Sequence, residues 1–462
     1  MLFILAVLYF FNLNTSATPV SHVLRDAVLP DANSSSQCIC ADQQRTLWDI
    51  LWSCFATIFA CTWVSVHPNI PPSTEGWWKT ALRRLELMVW ALIAPELIIL
   101  WATRQWYAAR TMVKMYQGYE WTKTHGYFIQ MGGFTLFSGG KPLRVLLSNE
   151  MEDLLRAGKI DFPTITEEEI KDRSKSDGLS KVLVIGQTSW FVSQCIARRA
   201  QGLILTELEL VTGAFAVLNG IMYFFWWNKP LDVRCPVPVH LLDEWKTPFK
   251  FNAVQRPPVS LWDAVLSLYS MAKISLNPSR KSIKTIIVAP WTLIWAVFTR
   301  LADIDSPPSY LEVPGAVSTV STFYARTGYI SVTANKSLIP SITSAIATLF
   351  GLLHCAAWFF TFPSYAELMI WRVCAAVIST IPFLVLLFFI ASFWGWGVKF
   401  DSLWNKAFKI LPAPLAYSVI CLPLATYAIA RLLLLAEALA ALRYLPPEAL
   451  SVVDWLSFLP HI

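Results

Sequence analysis

The sequence predicts an all-α protein, a polytopic bundle of about seven or eight transmembrane helices interrupted by one polar insertion. Three observations carry that expectation. Hydrophobic residues make up 55% of the 462-residue chain and charged residues only 15%, against roughly 25% charge in a soluble domain. Mean hydropathy is +0.48, which leaves more apolar surface than one soluble core can hide. The apolar residues are also gathered into runs near the ~20 residues that a helix needs to cross a bilayer. The net charge of +6 is scattered rather than striped, so the lipid bilayer, and not nucleic acid, is the expected partner.

Taken in order, Met1 to Ala17 has a short apolar core, Leu2 to Leu13, and ends in the small residues Thr15-Ser16-Ala17. It reads as a signal peptide. An uncleaved anchor is the alternative, because no Lys or Arg precedes the core. Residues 18–45 then form a lumenal segment in which Asn33-Ser34-Ser35 is a glycosylation acceptor and Cys38-Ile39-Cys40 is open to oxidation. Residues 46–462 make the membrane domain. This reading places the chain in the endoplasmic reticulum or another secretory-pathway membrane.

Within the membrane domain, Leu47 to Val66 is the first span, ended by His67-Pro68, and Leu85 to Ala102 is the second. Residues 103–180 are polar and punctuated by Gly132-Gly133 and Gly139-Gly140, as an extramembrane insertion would be. Its tail, Thr166-Glu167-Glu168-Glu169, carries a capping-box pattern, so a helix is expected to start there and run toward Lys181. Val182 to Ile196, short for a span, and Leu203 to Trp227 follow. The sequence Trp226-Trp227-Asn228-Lys229-Pro230 reads as a membrane interface: indoles at headgroup level, a snorkelling lysine, then a helix breaker. Ile286 to Leu301 is marginal and broken by Pro290. Ile339 to Phe362, Leu368 to Phe393 and Ile410 to about Leu435 are the stronger runs that finish the chain.

Acids inside these runs are the candidate chemistry, because a carboxylate at membrane depth is expensive and usually functional. Glu96 follows Pro95 inside an apolar run and reads as a proton donor or ion ligand; the alternative is a salt bridge to Arg104 or to an arginine of another helix. Glu207 and Glu209 stand two residues apart, so a helix points them to different faces. One is expected to face the bundle and the other to pair with Arg198 or Arg199. Asp49, Glu367, Arg372, Arg431 and Glu437 lie near span ends, where snorkelling is the default. Most tryptophans are expected to be interface anchors, while Trp52, Trp90 and Trp190, at mid-span, are candidate walls of a substrate cavity. His354 lies inside a span and is read as a pore-facing or bridging residue, and His125 as a loop-shaping one.

Several common catalytic patterns are missing from the sequence. It carries no Asp-Asp-x-x-Asp or Asp-x-Asp-Asp motif, no P-loop, no Gly-x-Ser-x-Gly elbow and no His-Glu-x-x-His. Neither a metal nor a cofactor is therefore expected.

Distinctive stretches include Trp52-Ser53-Cys54, Cys61-Thr62-Trp63, His67-Pro68-Asn69-Ile70-Pro71, Ala94-Pro95-Glu96, Arg104-Gln105-Trp106, Asp172 to Leu179 and the terminal Leu459-Pro460-His461-Ile462. In these the chain resembles a large family of filamentous-fungal polytopic membrane proteins, mostly uncharacterised. It is less closely similar to the integral-membrane terpene cyclases of fungal meroterpenoid pathways. That likeness implies acid-initiated cyclisation of a lipophilic prenylated substrate, with Glu96, Glu207 or Glu209 as the acid and indoles stabilising a carbocation. The other readings are a transporter or channel with Glu96 on its path, and a non-catalytic receptor or scaffold.

Overall fold

The computed structural model describes residues 44–72, 75–174, 177–242, 320–325, 337–394 and 413–455. The expected signal peptide, Asn33, the Cys38-Ile39-Cys40 pair and the Ile286 to Leu301 run lie outside the described residues. The chain is mostly helical. Among the described residues, five helices are long and apolar enough to cross a membrane, or up to six if one sharply bent pair counts as a span.

Helix α1 (Leu47–Phe59) begins at Thr46, whose hydroxyl accepts from the Asp49 amide while the Asp49 carboxylate accepts from Thr46 N. Asp49 is thus a capping acid, which satisfies amides that the first helical turn leaves without partners. A π-helical turn, Ala60–Val64, extends α1 to 18 residues.

The second run does not form one straight span. It divides into α2 (Trp77–Ile93) and α3 (Pro95–Met115), bent by 108°. Pro95 has no N–H to continue the ladder of α2 but is well suited to open α3, and Ala94 leaves helical geometry between them. Helix α3 also runs past residue 103, where the polar insertion was expected to begin. It continues because Thr103, Gln105, Ala108, Ala109 and Met112 are all buried by protein.

The insertion folds as a small α/β unit, a departure from the all-α expectation. Helix α4 (Lys123–Gln130) packs on α3 at Gly126, where a Cβ would lie 2.8 Å from the Ala109 Cα. Strands β1 (Phe134–Ser138) and β2 (Lys141–Val145) form a hairpin around Gly139 and Gly140, both at positive φ, as tight hairpin turns demand. The later strand β3 (Val237–His240) joins β1 in parallel, giving the order β2-β1-β3. Helices α5 (Ser148–Arg156) and α6 (Glu167–Asp172) follow the hairpin. The expected Thr166–Glu169 capping box is present, but α6 stops at Asp172 rather than running to Lys181. Ser174 there donates to the Leu231 carbonyl at 2.6 Å and accepts its amide at 2.8 Å.

Helix α7 (Asp177–Ala200) contains the Val182 to Ile196 run and is not among the helices apolar enough to span. Helix α8 (Glu207–Trp226) is the most enclosed of the spans, packed against α1, α3 and α7 and against the C-terminal helices α9 (Ile339–His354), extended by a 3-10 turn, and α11 (Ala413–Ala440). Helix α10 (Tyr365–Phe393) packs on α9 and α11. A core of Phe215, Phe350, Trp371, Ile378 and Leu434 joins these helices, and burial of such side chains, at about 25 cal/mol per Å², drives their packing wherever water is the alternative.

The Trp226 to Pro230 segment departs from the interface reading. Trp226 and Lys229 are both fully buried. The lysine turns inward because three acceptors from two distant parts of the chain, His67 with Asn69 and Gln105, meet it there.

Candidate functional site

The bend at Ala94 determines what Glu96 meets. In an unbroken helix the Leu92 carbonyl would take the Glu96 amide; here it accepts from Arg431 Nη2 of α11 at 3.0 Å. The same guanidinium lies with Nη1 3.9 Å from Glu96 Oε2 and 3.4 Å from the Tyr427 hydroxyl, which also hydrogen-bonds Glu96. Arg431 is therefore not a snorkelling residue. It is 6% exposed, and its guanidinium carbon stands 4.1 Å from the Phe350 ring centre and 5.7 Å from that of Phe215, positions in which ring quadrupoles stabilise a cation.

A small cavity adjoins this pair, lined by Leu92, Phe215, Phe350, His354 and Arg431 among others, with room of about 10 Å³, about enough for one water. His354 is buried, its Nδ1 lies 2.8 Å from the Phe350 carbonyl and its own carbonyl accepts from Trp371 Nε1 at 3.1 Å. Phe215 is near the middle of α8 and Arg431 near the middle of the Leu422–Arg443 span. Two helices independently place the cluster at mid-depth. Chemically it is an acid and a phenol beside a buried cation, with an imidazole on the cavity wall next to that cation; the Glu96 side chain is half-buried. A dry surrounding disfavours charge on a carboxyl group and a neighbouring guanidinium favours it.

The structure does not bring Glu207 and Glu209 to this cluster. Both are in the first turn of α8, about 9 Å or more along the axis from Phe215. Glu209 closes a capping box with Thr206, accepting its amide at 2.9 Å, and its other contacts go to Arg45, with Nη2 to Oε2 at 3.0 Å. The expected partner was Arg198 or Arg199. Arg198 instead donates to the carbonyls of Ile204, Ala449 and Ser451. Thr206-Glu207-Leu208-Glu209 repeats the capping pattern seen at Thr166, a signal that assigns Glu209 to the helix end. Glu207 is buried beside it.

The three tryptophans also separate. Trp52 is 76% exposed and Trp190 52% exposed, so both point out of the bundle rather than lining a cavity; Trp190 stacks on Trp455 at 5.2 Å. Trp90 is buried in the α2–α3 core with Leu97, Ile98 and Trp101. His125 belongs to the α4 cap with Thr122 and bonds the Ile165 carbonyl at 2.9 Å.

A second buried cation was hidden in the interface motif. Lys229 Nζ donates to the His67 carbonyl at 2.5 Å, to Gln105 Oε1 at 2.9 Å and to Asn69 Oδ1 at 3.2 Å. The Trp101 and Trp226 ring centres lie 4.4 and 4.8 Å away. Burial lowers the pKa of this amine well below that of a solvated lysine. Three acceptors for its three N–H groups and two indole faces oppose that loss of charge. Asn69 in turn donates to the carbonyls of Ser321, Thr322 and Tyr324, so the cage joins α3, the end of α8 and the 320–325 segment.

Residues 111–281, less than half of the chain, match a family of unknown function (DUF8562). No curated protein and no solved structure matches the chain.

Proposed function

We propose that the protein is an integral membrane transporter or channel whose exchangeable group is Glu96. The observation that carries this reading is the 108° break at Ala94, which sets the carboxyl group of one half-helix against Arg431 of another span. Broken helices at membrane depth are where transporters place ion and substrate sites. A carboxyl set against a buried guanidinium that also serves a helix carbonyl is a means of taking up and releasing a proton or small cation. The cavity of about 10 Å³ suits a proton or a water better than a prenylated substrate, since ligand pockets run to ~300 Å³ and more.

The test is flux. Liposomes holding the purified protein and a pH-sensitive dye are polarised with a potassium gradient. Acidification above that of empty liposomes, abolished by Glu96→Gln, supports the proposal. Flux unchanged by Glu96→Gln would refute it.

One observation favours a second reading, the acid-initiated terpene cyclase. Phe215 and Phe350 already hold a cation, the Arg431 guanidinium, and the same faces would suit a carbocation. Incubation of microsomes with linear prenylated phenols or epoxides separates the two readings. An isomeric cyclised product lost in Glu96→Gln belongs to a cyclase, and voltage-driven flux without conversion belongs to a transporter.

A further inference from the structure

A cleft of about 220 Å³ opens between the N-terminal half of α2, the end of α1 and the chain after α8, with Trp63, Trp77, Arg83, Arg84, Asp232 and Arg234 in its walls. Its level in the bilayer follows from two spans. Helices α1 and α8 run in the same direction, because Arg45 just before α1 pairs with Glu209 in the first turn of α8. Their far ends, Trp63 and the segment from Asp232 to Arg234, meet again in the cleft. Two spans therefore finish at this one place, at the boundary between hydrocarbon and water.

We propose that this cleft binds the phosphate of a bilayer phospholipid. Three arginines, with Asp232 in the wall and Glu75 paired to Arg83, leave one net positive charge. A phosphodiester carries about one negative charge, so the two match. The arginines also keep donors to give. Arg83 commits one Nη2–H to Glu75 at 2.5 Å and Arg84 one to Asp232, while a guanidinium has five N–H donors in all. Arg234 is exposed at the rim. Forked N–H groups of this kind suit phosphate oxygens.

The apolar part of the lipid has a surface to follow. Trp52, Phe59 and Trp63 recur at seven and four residues along α1 and its π turn, which keeps them on one face. Trp52 and Phe59 are 76% and 50% exposed, and Phe59 stacks on Trp63 with ring centres 5.8 Å apart. This face leads from mid-span to the cleft, as an acyl chain below its headgroup would. Trp77, 71% exposed at the mouth, sits where indoles favour the headgroup level.

Native mass spectrometry of the detergent-purified full chain, with phosphatidylglycerol added, reads the bound lipid directly. One retained lipid per chain is expected, weakened about tenfold by Arg234→Gln and measurably by Trp77→Ala. Both side chains are exposed, so neither change threatens folding. Inorganic phosphate at the same concentration is expected neither to bind nor to displace the lipid. Equal lipid affinity in the wild type and both variants overturns the proposal. Displacement by inorganic phosphate also overturns it, by making the cleft a site for the free anion.

Discussion

Replacing Lys229 by methionine keeps the length of the side chain and removes its charge and all three N–H donors. The consequences differ among its partners. Gln105 Oε1 still accepts from Trp226 Nε1 at 3.0 Å, and Asn69 Oδ1 from Gln105 Nε2 at 3.1 Å. The His67 carbonyl loses its 2.5 Å bond to a charged donor, a loss of about 1.5–3 kcal/mol. The two indole faces lose a cation, at roughly 0.5–2 kcal/mol each when desolvated. Methionine needs no desolvation of a charge, which returns part of the loss. The expected net destabilisation is about 2–3 kcal/mol, or roughly 2–3 °C in apparent Tm at this chain length. Fluorescence-detected thermal melting in detergent measures it, with Lys181→Met as the control. That lysine also lies over an indole, Trp227 at 5.6 Å, but is half-exposed, so a change within about 0.5 kcal/mol is expected there. A Lys229→Met protein as stable as the wild type, or more stable, refutes the cage as a stabilising element.

Other perturbations test other parts of the account. The Glu167 and Glu169 carboxyl groups lie below the ordinary range. For Glu167, burial raises the value but is outweighed by Lys171, Thr122 and Thr124; for Glu169, the Thr166 amide and then its hydroxyl lower it. Their contribution is therefore complete above the unfolded value of about 4.5 and is lost as pH falls through the folded values. Between about pH 6 and about pH 3.5, hydrogen exchange corrected for intrinsic rates is expected to accelerate in α6 relative to α10; equal protection at the two pH values contradicts the capping account. At Gly351, an added Cβ would stand 2.6 Å from the Ile378 carbonyl and 2.7 Å from the Ser379 amide. Gly351→Ala is accordingly expected to destabilise by about 1–3 kcal/mol, and an unchanged melting temperature would mean that α9 and α10 are not so close. Trp52→Ala is expected to leave flux intact, whereas a loss would return that indole to the site.

Much of the helical layout was legible because apolarity alone marks a span. The start of α1 at Leu47, α9 at Ile339, the end of α10 at Phe393 and the capping box at Thr166 are where the sequence places them. The misplaced features depend on contacts between distant residues. Pro95 was visible, but not that Arg431, far along the chain, takes the Leu92 carbonyl that the break leaves open. Helix α3 passes residue 103 because Gln130 of α4 donates to the Gln105 carbonyl and the 320–325 segment accepts from the Gln105 side chain. Lys229 carries the composition of an interface anchor, and only its bonds to His67, Asn69 and Gln105 show that it points inward. Glu96 was the one candidate acid that the fold brings to a polar cluster at mid-depth. Glu209 was separable from it by its Thr-x-x-Glu pattern alone.

The central claim is that Glu96 and Arg431 act as one unit, and a double-mutant cycle on proton flux tests it most directly. Glu96→Gln and Arg431→Gln are measured singly and together in polarised liposomes. If the pair works as a unit, each single change lowers flux about tenfold or more and the double mutant is no worse than either. Losses that multiply, or flux that survives both changes, contradict the account.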